Sequence, residues 1–321
     1  MALVIVGCGW IARRHAAAAR SLGLPVVFAS RDVARARAYA REFGGVAAYG
    51  GYDEALRHPG ARGAVICTPH DRHLDDVLGA LAAGCHVLVE KPIARTLDEA
   101  DRMIEAATRH QRVLMVAENF RFMPGFRAVR RFIDEGRLGT LRELHLIARG
   151  FRRHTGWRCA PGAGGGALID GGIHYVHALR WWGGEVRRLF ALRPPQTLDM
   201  AGEDAVDLLA ELEGGVVGIL SNSLAARGVP RFQWSSVTGI SGTCFVENRG
   251  RLVVVRGEAG LRVRGFRRDT RGHAAMLKAF EVAMSTGRAD EMDGAAGRRD
   301  LAVVLAAYRS IAERRPVELT C

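Results

Sequence analysis

The stretch VLVEKPIA, residues 87–94, sets Lys91 between Glu90 and Pro92 in a chain of 321 residues with 44 arginines and only two lysines, the other being Lys278. A solvated surface charge tolerates either residue type. A compact ammonium is needed where one oxygen must be addressed or a proton moved. Lys91 is therefore a candidate for chemistry at a substrate oxygen, against the plain alternative that two lysines must fall somewhere. A second candidate is GCGWIA, residues 7–12, with the spacing Gly7-x-Gly9-x-x-Ala12 directly after an apolar run. Gly7 permits a tight turn, Gly9 lets the backbone approach a pyrophosphate, and Ala12 lets the following helix pack closely. Trp10 and Ile11 open that helix, whose first amides and positive dipole end suit phosphate.

The partner of such a loop is the tip of the second strand, where a carboxylate selects the ribose of NAD. Here the strand ends FASRD, with Ser30 and Arg31 at the tip. Ser30 can donate to a phosphate oxygen, and Arg31 can pair with a 2′-phosphate or stack on adenine. Arg35, one helical turn on, adds charge. NADP(H) is the expected cofactor, with NAD(H) also possible. Asp32 is read as the cap of the next helix; its alternative is to turn back toward the ribose.

These residues need elements to position them. Over residues 1–120, strand-like runs at 3–7, 25–30, 46–49, 63–69, 86–92 and 112–119 alternate with helical patterns at 10–22, 32–43, 52–58, 71–83 and 98–110. That alternation predicts a Rossmann-like doubly wound parallel sheet. Thr96 with Glu99 forms a capping box for the fifth helix. Over residues 121–321 the rhythm changes: a helix at 125–135, a strand in LRELHLIARGF, a glycine-rich loop at 161–166 and a helix through ALIDGGIHYVHALRWW. Strands follow at 203–213, 215–223, 231–239, 243–248 and 251–256, then helices at 273–285 and 295–313. This half predicts an α+β domain with a largely antiparallel sheet. The whole is α/β.

Composition narrows the function classes. No apolar run reaches membrane-spanning length, and MALVIVGCGW lacks the basic start of a signal peptide. The formal net charge is +12, but the arginines are dispersed, with no run of five or six, so nucleic acid is not an expected partner. Stretches such as FRRH and RRDTR read as solvated faces. Six cysteines at 8, 67, 85, 159, 244 and 321 lack paired spacing, which fits free thiols in a reducing cytoplasm.

GCGWIARRH, CTPHDRH, AAGCHVLVEKP, GRLGTLRELHL and GWRCAPGAGGGALIDGGIHYVHALRWWGG together resemble the Gfo/Idh/MocA family of glucose–fructose oxidoreductase and inositol dehydrogenase relatives, over nearly the whole chain. The resemblance implies an NAD(P)-dependent oxidoreductase moving hydride between nicotinamide and a secondary alcohol or ketone of a sugar, amino sugar, cyclitol or related polyol. It makes Lys91 catalytic, with Glu90 beside the cofactor. It also makes Asp170 and His174, four apart on one helix face, the orienting acid and the proton acceptor. Thr68, Pro69, His70 and His73 fall in the cofactor loop after the fourth strand, and Asn119, Trp157 and Arg158 in further cofactor contacts. Arg121 and His177 join Lys91, Asp170 and His174 around the substrate. His177 stands where relatives often carry aspartate. An Asp170–His174–His177 metal site is conceivable, but hydride transfer needs none and no metal is expected. The rivals are reduction of a C=N bond or another carbonyl compound, and a cofactor-binding regulator without catalysis. Relatives associate through the second-domain sheet, so the resemblance also implies a homodimer or homotetramer.

Overall fold

The apolar run ALVIV forms β1 (Ala2–Val6), and the chain continues with α1 (Trp10–Ser21), β2 (Val26–Ala29), α2 (Val33–Phe43), β3 (Ala47–Tyr49) and α3 (Tyr52–Leu56). Then come β4 (Ala61–Ile66), α4 (His73–Ala82), β5 (His86–Val89), α5 (Leu97–Arg109) and β6 (Leu114–Val116). The computed structural model describes residues 1–228, 233–258 and 260–319. The start of the strand expected at 231–239 and Cys321 lie outside the described residues. Two compact units result: Met1–Glu118 with His273–Arg299, and Asn119–Gly272 with the stretch from Asp300.

In the first unit, the six strands pair in parallel in the order β3-β2-β1-β4-β5-β6. Strand order reverses between β1 and β4, and the crevice at that switch point is where such folds take a dinucleotide. β1, β2 and the inner residues of β4 and β5 are buried on both faces, as helices on both sides require. The expected boundary at 120 lies two residues from the observed one, but the assignment of 273–299 to the second half needs correction. α8 (His273–Thr286) belongs to the first unit because Gly63 on β4 leaves the space in which Phe280 and Met284 sit. The start of α9 (Gly294–Glu313) follows it: Gly297 lies against Val116, and Arg298 pairs with Asp101.

The second unit contains α6 (Pro124–Asp134), β7 (Leu141–Arg149), α7 (Ile173–Gly183), β8 (Val186–Leu192), β9 (Ala205–Leu212) and β10 (Val217–Ser223). It continues with β11 (Trp234–Gly239), β12 (Gly242–Glu247), β13 (Leu252–Gly257), β14 (Gly260–Gly265) and β15 (Val317–Glu318). Among the described residues these make one sheet, ordered β14-β13-β12-β11-β7-β10-β9-β8-β15 and antiparallel except for β7 with β10. One face is covered: Leu179 of α7 fills the space over Gly218 on β10, and Gly183 lies against Leu144 and Leu212. The other face carries a cross-strand row of Phe190, Leu209, Ile219, His145, Ser236, Phe245, Val254 and Val263, every member exposed or half-exposed.

Candidate active site

The site residues of the first unit gather at the C-terminal ends of β1, β4 and β5. Gly7, with φ +90°, makes the turn after β1; a Cβ there would lie 3.0 Å from Thr68 Cγ2 and 3.2 Å from the Cys67 carbonyl carbon. Gly9 caps α1 in an extended conformation (φ −96°, ψ −175°), without a capping side chain and with no acid in the first turn. A Cβ on Gly9 would meet nothing within 4 Å. The opening amides of α1, at Trp10 and Ile11, therefore have no side-chain acceptor supplied for them, which suits a pyrophosphate. These features fit a dinucleotide. Trp10 itself is 64% exposed.

At the tip of β2, Ser30 is buried, and its Oγ accepts from the Asp32 N–H at 3.3 Å. Arg31 is exposed. Asp32 Oδ1 accepts from the Ala34 and Arg35 amides at 3.0 and 3.3 Å, the cap expected for α2. In the loop after β4, Thr68 donates to Asp76 Oδ2 at 2.6 Å, Pro69 is half-buried and His70 is buried. His73 is wholly buried, with Nδ1 2.9 Å from the Pro92 carbonyl and Nε2 3.2 Å from that of Thr68. Burial pushes this imidazole toward its neutral form. With one N–H in that form, the ring donates to one of the two carbonyls and packs against the other, between the Thr68 loop and the Lys91 segment, whose Lys91–Pro92 peptide is cis.

Glu90, expected beside the cofactor, turns its carboxylate inward: Oε1 is 2.7 Å from His15 Nε2, and Oε2 accepts from the Lys91 N–H at 3.3 Å. Burial pushes the Glu90 carboxyl up, but the His15 hydrogen bond and charge, with Lys91 and His273, outweigh it and hold it at about 2. Lys91 is half-buried.

In the second unit, the helix expected to bear Asp170 and His174 is present and begins in an unusual form. Leu168–Gly172 form a π-turn that leads into α7. Glu203 secures its start, accepting from the Leu168 amide at 2.8 Å, while the Tyr308 hydroxyl donates to the same oxygen at 2.8 Å. Gly166 is required, since a Cβ there would collide with the Glu203 carboxylate. Such turns recur at functional positions.

Asp170 Oδ2 lies 3.3 Å from Arg158 Nε and 3.7 Å from His154 Nε2. The His174 ring stacks on Phe120, with centroids 4.5 Å apart and planes 9° off parallel. Arg158 also covers Trp157 at 4.3 Å, and Arg121 covers Trp181 at 4.3 Å. Asn119 donates to the Arg271 carbonyl at 2.9 Å. His177 is buried, its Nδ1 3.0 Å from Asp300 Oδ2; Arg180 binds the other Asp300 oxygen and both Glu185 oxygens. The expected pocket residue His177 is thus built into a buried ionic network. Among the described residues, no group of three His, Cys, Asp or Glu side chains is gathered as for a metal ion.

Four contributors escape sequence reasoning: His15, His154, Glu203 and Phe120. His15 left a signal, being the one polar residue in the buried α1 stripe of Ala12, Ala16 and Ala19. His154 lies in the FRRH stretch that reads as a solvated face, yet its side chain is only 7% exposed.

Residues 1–118 match the model of the Gfo/Idh/MocA oxidoreductase family with its NAD-binding Rossmann fold, and residues 126–244 match the Gfo/Idh/MocA C-terminal domain. A trans-1,2-dihydrobenzene-1,2-diol dehydrogenase of Mus musculus is 32% identical over 213 residues, which span 63% of this chain and 61% of the mouse protein's own length. The rhizopine catabolism protein MocA of Rhizobium meliloti is 32% identical over 259 residues, 77% of this chain and 78% of that protein. Among solved structures, a levoglucosan dehydrogenase in complex with NADH and levoglucosan superposes with a TM-score of 0.89 at 21% identity, covering 100% of this chain and 99% of that one.

Proposed function

From the premise that this chain belongs to the Gfo/Idh/MocA oxidoreductase family, we propose that it is an NAD(P)-dependent dehydrogenase of a secondary alcohol. Its substrate class is a sugar, amino sugar, cyclitol or related polyol or diol. The observation that carries this reading is the convergence of the Gly7 turn, Thr68 and the Glu90–Lys91–Pro92 segment at adjoining strand ends of the first unit. The bound nicotinamide supplies the hydride acceptor or donor.

The chain's own groups handle the oxygen and its proton. The Lys91 ammonium donates to the substrate oxygen and stabilises the alkoxide charge that develops there. His174 takes the hydroxyl proton in oxidation and returns it in reduction, a task imidazole performs near neutrality. Phe120, stacked on its face, fixes the plane of the ring. Asp170, held by Arg158 and His154, orders the polar groups on the His174 side of the second unit.

The cofactor preference assigned is NADP(H), with NAD(H) also accepted. Ser30 and Arg31 occupy the tip of β2, and the Asp32 carboxylate is engaged by the start of α2. Copies associate, as a homodimer or homotetramer, through the open face of the second unit's sheet, where Phe190, Leu209, Ile219, Phe245, Val254 and Val263 share one cross-strand row. Among the described residues no helix is long and apolar enough to cross a membrane, and Cys8, Cys67, Cys85, Cys159 and Cys244 are free thiols, which fits work in the cytoplasm.

The test is a cofactor oxidation and reduction screen against sugars, inositols, trans-diols and their keto forms. In it, His174→Ala and Lys91→Met each lower kcat by about 10²-fold or more, while cofactor affinity changes far less. Near-normal turnover in both variants removes the mechanism, and cofactor binding without turnover on any compound favours a non-catalytic regulator.

A further inference from the structure

The reading of Lys91 as the group that addresses the substrate oxygen leaves open what holds it there. We propose that His15 and Glu90 are positioning residues for Lys91: His15 on α1 fixes the Glu90 carboxylate, and Glu90 in turn anchors the Lys91 backbone.

Three observations converge on this pair. His15 is 0% exposed, and its Nε2 is 2.7 Å from Glu90 Oε1 across 75 residues of sequence. An ionised carboxylate only accepts, so the imidazole proton must sit on Nε2. His15 Nδ1 is buried without a partner, so the hydrogen bonding of this ring goes to Glu90 alone. An aliphatic side chain would fill the same space in the alanine stripe of α1 without burying an unpaired nitrogen. Finally, Glu90 Oε2 accepts from the Lys91 N–H at 3.3 Å, while His73 Nδ1 sits 2.9 Å from the Pro92 carbonyl. Lys91 thus lies between a contact at its own N–H and a contact at the carbonyl of the next residue.

The consequence is a mechanical and electrostatic tie. The helix that opens at Gly9, toward a pyrophosphate, also fixes the segment carrying Lys91. The buried carboxylate also carries its negative charge in the residue next to Lys91, close enough for the ammonium to act on it. The charged and titratable groups facing Glu90 are His15 from α1, Lys91 itself, His273 at the start of α8, His73 from α4 and Cys67 at the end of β4. Of these, His15 does most to hold the carboxyl low against burial.

Because the chain has only two lysines, Lys91 can be read directly, without a substrate. Competitive acetylation with acetic anhydride is followed by mass spectrometry, taking Lys278 as internal reference. In Glu90→Gln, which keeps the shape and removes the carboxylate, the Lys91:Lys278 labelling ratio should rise about threefold at neutral pH, as the segment carrying Lys91 loses the bonds that tie it to α1. In His15→Leu, which leaves Glu90 Oε1 without its imidazole donor, the ratio should rise in the same direction. His15→Gln, whose amide N–H replaces Nε2–H, should return the ratio most of the way to the wild-type value. Should His15→Leu fail to fold, the near-isosteric Glu90→Gln and His15→Gln carry the comparison. A wild-type ratio in Glu90→Gln, or a His15→Gln ratio shifted as far as that of Glu90→Gln, overturns the inference. Fully retained turnover in Lys91→Met would instead overturn the reading of Lys91 on which it rests.

Discussion

Asp170 Oδ2 and Arg158 Nε are 3.3 Å apart at the start of the helix that carries His174, and the Asp170 side chain is 13% exposed. A carboxylate this sheltered is held in place by its cation more firmly than a surface pair would be. Arg158 lies in a short 3-10 turn (Gly156–Cys159) ahead of a glycine-rich stretch, so the ion pair also fixes that turn.

The first prediction is that Arg158 and Asp170 act as one unit in catalysis. Arg158→Ala and Asp170→Asn should each lower kcat/KM by about tenfold or more, and the double variant should lose less than the product, a coupling of about 0.5–3 kcal/mol. Arg158→Lys should recover only part of the loss, since an ammonium lacks the guanidinium fork. Steady-state kinetics on the four proteins decides it; strictly multiplicative losses would mean the contact has no catalytic role.

The second prediction concerns stability. Asp300 is buried between His177 and Arg180; burial raises its carboxyl, but those two partners prevail and hold it below the ordinary carboxylate range. A depressed carboxyl adds stability that is complete above the unfolded value of about 3.9 and is lost as pH falls through the folded one. Asp300→Ala should destabilise the second unit by about 1–3 kcal/mol, because His177 and Arg180 each lose a buried partner while Glu185 still faces Arg180. Asp300→Asn should also flatten the loss of stability below about pH 4. Urea unfolding across pH measures both, and an Asp300→Ala protein as stable as the wild type would refute them.

Local pattern accounts for what was legible in advance. Gly7, Gly9 and the alternation of short strands with helices specify the first unit because a βαβ fold writes each element into contiguous residues. Asp32 as a helix cap was legible for the same reason. β8 escaped notice because Arg187 and Arg188 interrupt its apolar alternation, and β14 because all six of its residues are exposed. The return of 273–299 to the first unit depends on Gly63 accepting Phe280 and Met284, a fit more than 200 residues apart in sequence. The π-turn at Leu168–Gly172 departs from the periodicity of a regular helix, and Asn222 lies against Gly172 within it. His15 and Glu90 were each visible, but nothing local announces a partnership across 75 residues.

The third prediction tests association. Leu209 and Ile219 are cross-strand neighbours in the open row, 51% and 39% exposed. Leu209→Glu with Ile219→Glu should convert the assembly to monomers, raising the dissociation constant by about 10²-fold or more, as loss of central apolar anchors does. Light scattering across a concentration series reads the mass, and a wild-type protein that is already monomeric would refute the interface.

The fourth prediction concerns the cofactor. A carboxylate at the tip of β2 would accept from both ribose hydroxyls and repel a 2′-phosphate. At that tip stands Ser30, buried and bonded to the Asp32 amide, followed by the exposed Arg31. Asp32 Oδ1 accepts from the amides of Ala34 and Arg35, and its other oxygen is 3.9 Å from the Arg35 guanidinium. Turning Asp32 toward a ribose would break the cap of α2, at a cost of about 1 kcal/mol. A guanidinium at Arg31 pairs with a 2′-phosphate by charge-assisted hydrogen bonds that a ribose hydroxyl cannot match. The wild type should therefore show higher kcat/KM with NADP(H) than with NAD(H). Arg31→Ala should lose about tenfold or more with NADP(H), equivalent to a charged hydrogen bond of about 1.5–3 kcal/mol, and change little with NAD(H). Ser30→Asp, which restores a carboxylate at the tip, should reverse the preference. A wild type that strongly prefers NAD(H), or an Arg31→Ala loss equal for both cofactors, would show that this strand end does not read the 2′-phosphate.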